Sequence, residues 1–237
     1  MPADPSRWPR PAGLIAGLLP PAAAAAESAG DPPDAGPGLF PAEEAVMRTA
    51  GPRRRAEFAA GRWCAREALA RLGVPAAPIL PGPAGEPRWP EGVTGSITHC
   101  AGYRACAVAR TTDVAAIGID AEPDAALPAG LIEKVAIGPE LMWLGRHAGA
   151  LPGAGPPAVC WDRLLFSAKE AACKLWYPLT GQWPGLRGAV IGLAATGTFT
   201  VCLPGPGPGT GDRQVARLTG RWLARDGLIV TAIVCAP

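Results

Sequence analysis

The chain is short of lysine and histidine. Only three of its 22 basic residues are lysines, at 134, 169 and 174, and it holds two histidines, His99 and His147. A formal net charge of +2 is too small for wholesale attraction to nucleic acid, so any pull on an acidic partner must be local. No apolar run reaches the roughly 20 residues that a membrane helix requires, so no membrane partner is expected. The seven cysteines are odd in number and none are spaced C-x-x-C, which argues against a disulfide framework or a zinc site. Scattered thiols of this kind behave as small buried apolar residues and suit a reducing cytoplasm. Arg7 and Arg10, ahead of an apolar stretch from Ala12, loosely mimic a secretory leader. Pro20 and Pro21 break that stretch and argue against one.

Hydrophobic residues make up 49% of 237, enough for one large domain or two small ones with a sizeable core. Gly and Pro total 60 residues and gather in connectors, so the loops are rich in both. Residues 1–11 read as disordered, and 31–38, 81–87, 149–158 and 204–211 as loops. Residues 14–19 read as a short strand and 40–47 as a short helix. The segment 53–73 predicts a long amphipathic helix, with Phe58, Ala65, Leu69 and Leu72 in one narrow arc. Arg55, Arg62 and Arg66 form an adjacent stripe, suited either to solvent or to an anion. Glu67 and Arg71 can pair at i,i+4, and Gly73 and Pro75 end the helix. Residues 93–100 and 103–110 form a hairpin about Ala101-Gly102. A further strand follows at 114–122, then loop and weak helix over 123–160. A second long helix covers 160–177, stopping at Pro178, and more strands occupy 190–203 and 220–236. The order of helix then strands occurs twice, divided near 112–116.

Three groups carry chemistry. On a strand, IGIDAE (117–122) sends Gly118, Asp120 and Glu122 to one face, and Ile117, Ile119 and Ala121 to the other. Two carboxylates about 7 Å apart along a strand suit a hard cation such as Mg²⁺ or Mn²⁺, although D-x-E is also common on solvated strands. In the second helix Arg163, Ser167, Glu170 and Lys174 share a stripe, with Trp161, Leu165, Ala168, Ala172 and Trp176 opposite it. Alone, Glu170 and Lys174 would be a surface pair. Ser167-x-x-Glu170 has the form of a capping box, but the apolar period already begins upstream at Trp161. His99, after Gly95-Ser96 and Thr98 and beside a glycine turn, can present imidazole, hydroxyl and N–H groups to an anion. Together these groups suggest a site for a divalent metal and a phosphate.

GSITHC, IGIDAE and FSAKEAACK, in that order and preceded by RRAEFAAGRWCAR, resemble the 4′-phosphopantetheinyl transferases, specifically the surfactin- and enterobactin-type monomers. The likeness spans about residues 14–177. It implies an α+β fold of two pseudo-symmetric halves, 12–115 and 116–237, each a long helix on a small antiparallel sheet, with coenzyme A in the cleft between them. It implies a cytoplasmic, monomeric enzyme that moves the phosphopantetheine arm of coenzyme A to a serine of an apo acyl or peptidyl carrier protein. By the same resemblance Asp120, Glu122 and Glu170 surround Mg²⁺ and Lys174 touches the pyrophosphate. Thr98 and His99 meet the 3′-phosphate and pyrophosphate, and Arg54 and Arg62 hold the 3′-phosphate. Glu170 and Lys174 are then the catalytic pair. Some relatives carry a lysine in the loop before the G-S-x-x-H strand, where this chain has only Arg88. Without the resemblance, a metal-dependent nucleotide phosphohydrolase or a non-catalytic coenzyme A-binding module would use the same groups.

Overall fold

The computed structural model describes residues 13–29, 38–147, 159–205 and 215–237. The expectations for 1–11, 31–37, 149–158 and 206–211 lie outside these residues. A single 3₁₀ turn at Ala16–Leu18 leads to β1 (Ala23–Ala29), then α1 (Pro41–Val46) and α2 (Pro52–Arg71). The hairpin β2 (Val93–Cys100) and β3 (Tyr103–Arg110) follows, closed by Gly102 at φ 72°. Next come β4 (Ala116–Pro123), α3 (Ile132–Val135), α4 (Gly138–His147), α5 (Trp161–Thr180) and α6 (Gly185–Gly188). The chain closes with β5 (Val190–Ala194), β6 (Thr198–Pro204), β7 (Val215–Arg225) and β8 (Leu228–Cys235).

The strands form two antiparallel sheets, β1-β3-β2 and β4-β8-β7-β6-β5. Helix α2 packs on the first sheet and α5 on the second, which gives the α+β architecture of two helix-on-sheet halves. The halves differ in size, with three strands against five. Their other faces share a core of Tyr103, Ala105, Ala107, Ile117, Ile119 and Val230, capped by Leu14 and Ile15. Edge strands β2 and β4 lie side by side across the seam. There the hydroxyls of Ser96 and Thr98, two residues apart and so on one face of β2, accept the N–H groups of Ile119 and Ala121. Side chains thus satisfy an edge that would otherwise expose a row of donors.

Three expectations are corrected. Residues 14–19 form no strand, because the prolines at 20 and 21 cannot donate to a ladder. The strand is β1, whose alanine-rich sequence carries little β-propensity and is held by burial on α2. Helix α5 continues through Pro178 into its last turn and ends at Gly181 in the left-handed conformation, φ 67°. Arg71 donates to the Ala25 carbonyl oxygen instead of pairing with Glu67.

Gly118 sets the approach of α5 to β4. A Cβ there would lie 1.9 Å from the Ala171 carbonyl oxygen and 2.8 Å from Leu175 N, backbone atoms that cannot step aside. Gly118→Ala is therefore expected to cost about 3 kcal/mol, the upper range for overpacking, read as a fall in the urea midpoint. An unchanged midpoint would show that the helix moves away freely.

Candidate active site

The close approach at Gly118 brings the inner turn of α5 over Asp120. Lys174 Nζ donates to Asp120 Oδ1 at 2.6 Å and to the Ile119 carbonyl at 3.3 Å. The Thr98 hydroxyl donates to the same Oδ1 at 3.1 Å. Asp120 is 4% exposed, and its Oδ2 is buried without a hydrogen-bond partner. Glu170, one helical turn before Lys174, is half-buried. Burial pushes its carboxyl above the usual range; Lys174 opposes this and the Asp120 charge adds to it. The Glu122 carboxyl is raised in the same way by burial and by Asp120, against the pull of Arg163.

Glu122 and Glu170 therefore each feel the charge of Asp120, but Glu122 is turned aside. Its Oε2 accepts from Arg163 Nη1 at 2.9 Å, while Arg163 also donates to the carbonyls of Ala125 and Ala126. Among the described residues no three His, Cys, Asp or Glu side chains are gathered closely enough to hold a metal as they stand. The donor set still fits a hard divalent cation. It offers an orphaned buried oxygen on Asp120 and two acidic groups whose ionisation is disfavoured by burial and by the Asp120 charge.

His99 stands at the exposed end of β2, cross-strand from the buried Arg104. The protein around it lowers its pKa by desolvation; Glu57 works against this, and Arg54, Lys174 and Arg104 add to it. Arg54 is exposed and makes only a long 4.0 Å pair with Glu57. His99 and Arg54, the groups expected to meet an anion, thus share a neighbourhood with Lys174.

The structure gives two of the expected site residues, Thr98 and Arg62, partners within the protein. The Thr98 side chain is 2% exposed, with its hydroxyl held between Asp120 and the Ala121 N–H, so it is no free contact for a phosphate. Arg62 is not on an open basic face. Its Nε donates to the Ile79 carbonyl at 2.7 Å, and its guanidinium lies over the Phe58 ring at 4.0 Å. Burial lowers its pKa to about 10, which still leaves it charged at neutral pH. Only its Nη groups remain for an anion. Lys169, next to Glu170 in sequence, is fully buried and donates to Glu140 Oε1 and to the carbonyls of Leu186 and Ala189. One residue before Glu170 on an α-helix is about 100° away, which turns Lys169 to the opposite, packed side. Glu140 and Lys169 thereby bind α4, α5 and β5 together. Arg66 is likewise taken up, by Glu43 and the Gly38 carbonyl.

Sequence reasoning missed Ser96 as part of the seam, Arg163 as the partner of Glu122, and Arg104 behind His99. The alternation of Ser96 and Thr98 was the available signal for the first. The position of Arg163 on the Glu170–Lys174 stripe was the signal for the second.

Comparison with known proteins bears on both halves. Residues 42–109 match the 4′-phosphopantetheinyl transferase N-terminal domain and residues 116–224 match the 4′-phosphopantetheinyl transferase superfamily. The 4′-phosphopantetheinyl transferase Svp of Streptomyces mobaraensis is 48% identical over 225 residues, covering 94% of this chain and 89% of that protein. The 4′-phosphopantetheinyl transferase PptT of Mycobacterium tuberculosis is 41% identical over 230 residues, covering 93% and 97%. Enterobactin synthase component D of Salmonella typhimurium is 33% identical over 190 residues, covering 79% and 74%. Matched along both sheets and at these identities over nearly its whole length, the chain belongs to the 4′-phosphopantetheinyl transferase superfamily.

Proposed function

We propose that this chain transfers the 4′-phosphopantetheine arm of coenzyme A to a serine of an apo acyl or peptidyl carrier protein, with Mg²⁺ (or Mn²⁺), releasing 3′,5′-ADP. The observation that carries this reading is Asp120, buried between Lys174 and Thr98, with one carboxylate oxygen unpartnered and Glu170 beside it. In this reading residues 12–115 supply the 3′-phosphate anchor, and 116–237 the cation site and the catalytic helix. Seven free thiols accord with work as a monomer in the cytoplasm.

Asp120 and Glu170, with Glu122 once released from Arg163, would hold the cation. Bound there, Mg²⁺ would neutralise charge on the diphosphate leaving group. Lys174, pinned to Asp120, keeps a second positive charge where that negative charge grows. Glu170, directly or through a bound water, takes the proton of the carrier serine as the serine Oγ forms a bond to phosphorus. The phosphorus–oxygen bond of the diphosphate breaks, and its electron pair leaves with 3′,5′-ADP. His99, Arg54 and the remaining Nη groups of Arg62 hold the 3′-phosphate, so that binding energy remote from the reacting atoms aligns them.

Incubation with coenzyme A, Mg²⁺ and a panel of apo carriers, read by intact mass, is expected to show a phosphopantetheine adduct. No adduct on any carrier overturns the proposal. In that event 3′,5′-ADP release without a carrier would indicate a hydrolase, and coenzyme A binding without turnover a binding module.

Arg54 gives a clean test of the anchor because it is exposed and nearly unpaired. Arg54→Ala is expected to leave stability within about 0.5 kcal/mol of wild type. It should weaken coenzyme A binding by about tenfold, the loss of one charge-assisted hydrogen bond, with little effect on 3′-dephospho-coenzyme A. Calorimetry distinguishes this from equal weakening of both ligands, which would take Arg54 away from the 3′-phosphate.

A further inference from the structure

The proton on the Thr98 hydroxyl has only one place to go. A backbone N–H can only donate, so the 3.0 Å contact with Ala121 N makes Oγ1 the acceptor there. The single hydroxyl hydrogen is left for Asp120 Oδ1, 3.1 Å away, where a carboxylate can only accept. Lys174 donates to that same oxygen at 2.6 Å. Two donors from two different elements therefore meet on Oδ1, while the buried Oδ2 receives none from the described residues.

A carboxylate turns about its terminal torsion with little preference. Left alone, the plane of the Asp120 carboxylate would swing over a broad range; two donors on one oxygen fix that plane and the direction of the other oxygen. We infer that Thr98 is a positioning residue which, with Lys174, locks the Asp120 carboxylate so that Oδ2 is presented to the divalent cation. This rests on the transferase reading above. Thr98 acts across the seam, since β2 and β4 belong to different sheets, so its hydroxyl ties the cation site of one half to the anchoring strand of the other. The threonine orients the aspartate much as a hydrogen-bonding partner orients a metal-ligating side chain elsewhere, where its loss lowers metal affinity by about 10–100-fold.

Ser96 supplies an internal control. It accepts the Ile119 N–H at 3.2 Å in the same seam, and its alternation with Thr98 places it one step further from the carboxylate. Mn²⁺ binding to the full chain in the presence of coenzyme A, measured by calorimetry, separates the two. Thr98→Val is expected to weaken Mn²⁺ by about 10–100-fold. Thr98→Ser should stay near wild type, and Thr98→Cys, a weaker donor, should fall between them. Ser96→Ala should lower the urea midpoint as Thr98→Val does, yet keep the wild-type Mn²⁺ affinity. Unchanged affinity in Thr98→Val overturns the inference. Should that variant not fold, unchanged affinity in Thr98→Cys does the same. An equal loss of affinity in Ser96→Ala also overturns it, by showing that seam integrity alone matters. Absence of Mn²⁺ binding by the wild-type protein would overturn the cation reading and this inference together.

Discussion

Glu170→Gln is expected to lower transfer to the carrier by about 10²–10⁴-fold, the range for loss of a positioned general base. Glutamine keeps the length and shape of the side chain on the rigid α5 helix, so the backbone and the packed face below it have no reason to move. What is lost is the ability to take a proton and to bind a cation. Burial raises the proton affinity of Glu170, Lys174 opposes this and the nearby Asp120 charge adds to it. Single-turnover mass analysis of the carrier should show the slowed step, while coenzyme A affinity, set largely by the distant 3′-phosphate, should change little. Retained turnover would remove Glu170 from the chemistry.

Asp120→Asn is expected to lower turnover by at least about 10²–10³-fold, comparable with loss of one electrostatic stabiliser. An amide fits the same space, and its oxygen can still accept from Lys174 and Thr98, but its NH₂ group then stands where Oδ2 was and offers a cation neither charge nor lone pair. Lys174 keeps its 3.3 Å contact with the Ile119 carbonyl and loses only the charge on its partner. Its side chain is 28% exposed, so water can solvate the ammonium without unfolding the helix. The thermal midpoint should therefore stay close to wild type while activity collapses, and added Mg²⁺ should restore little. On the proposed reading both carboxylates serve one cation, so Asp120→Asn combined with Glu170→Gln should cost much less than the product of the two single effects. Full additivity would place the two residues in separate roles.

The long-range architecture was legible because the signals were periodic. The strand alternation in IGIDAE placed Asp120 and Glu122 on the α5 side and Ile117 and Ile119 in the shared core, where they lie. The helical period of 160–177 placed Leu165, Ala168, Ala172 and Trp176 in the core and Glu170 with Lys174 toward β4. Trp161 is only partly buried and completes an edge-to-face aromatic contact with Trp222. Pairing was not legible. Whether Arg62 faces solvent or the Ile79 carbonyl depends on a connection seventeen residues away, and Lys169 finds Glu140 across 29 residues. Glu122 meets Arg163 across 41 residues, which no local pattern encodes. The strand β1 was hidden for a different reason: five of its seven residues are alanine, whose preference for a strand is set by what covers it.

The seam between the sheets explains why the motifs occur together. Ser96 and Thr98 must face β4 to satisfy the N–H groups of Ile119 and Ala121, and this register sets His99 on the opposite face, toward α2 and Arg54. Gly118 must lack a side chain for α5 to come close enough for Lys174 to reach Asp120. A strand edge, a glycine and a helical turn thus bring the anchoring and the reacting ends of the site together.

The most direct test is where Mn²⁺ sits in crystals grown with coenzyme A, read from its anomalous scattering. The account predicts a peak roughly 2 Å from Asp120 Oδ2 and from a Glu170 oxygen, touching the diphosphate. A peak on other residues, or an ordered diphosphate with no peak beside Asp120, would contradict it.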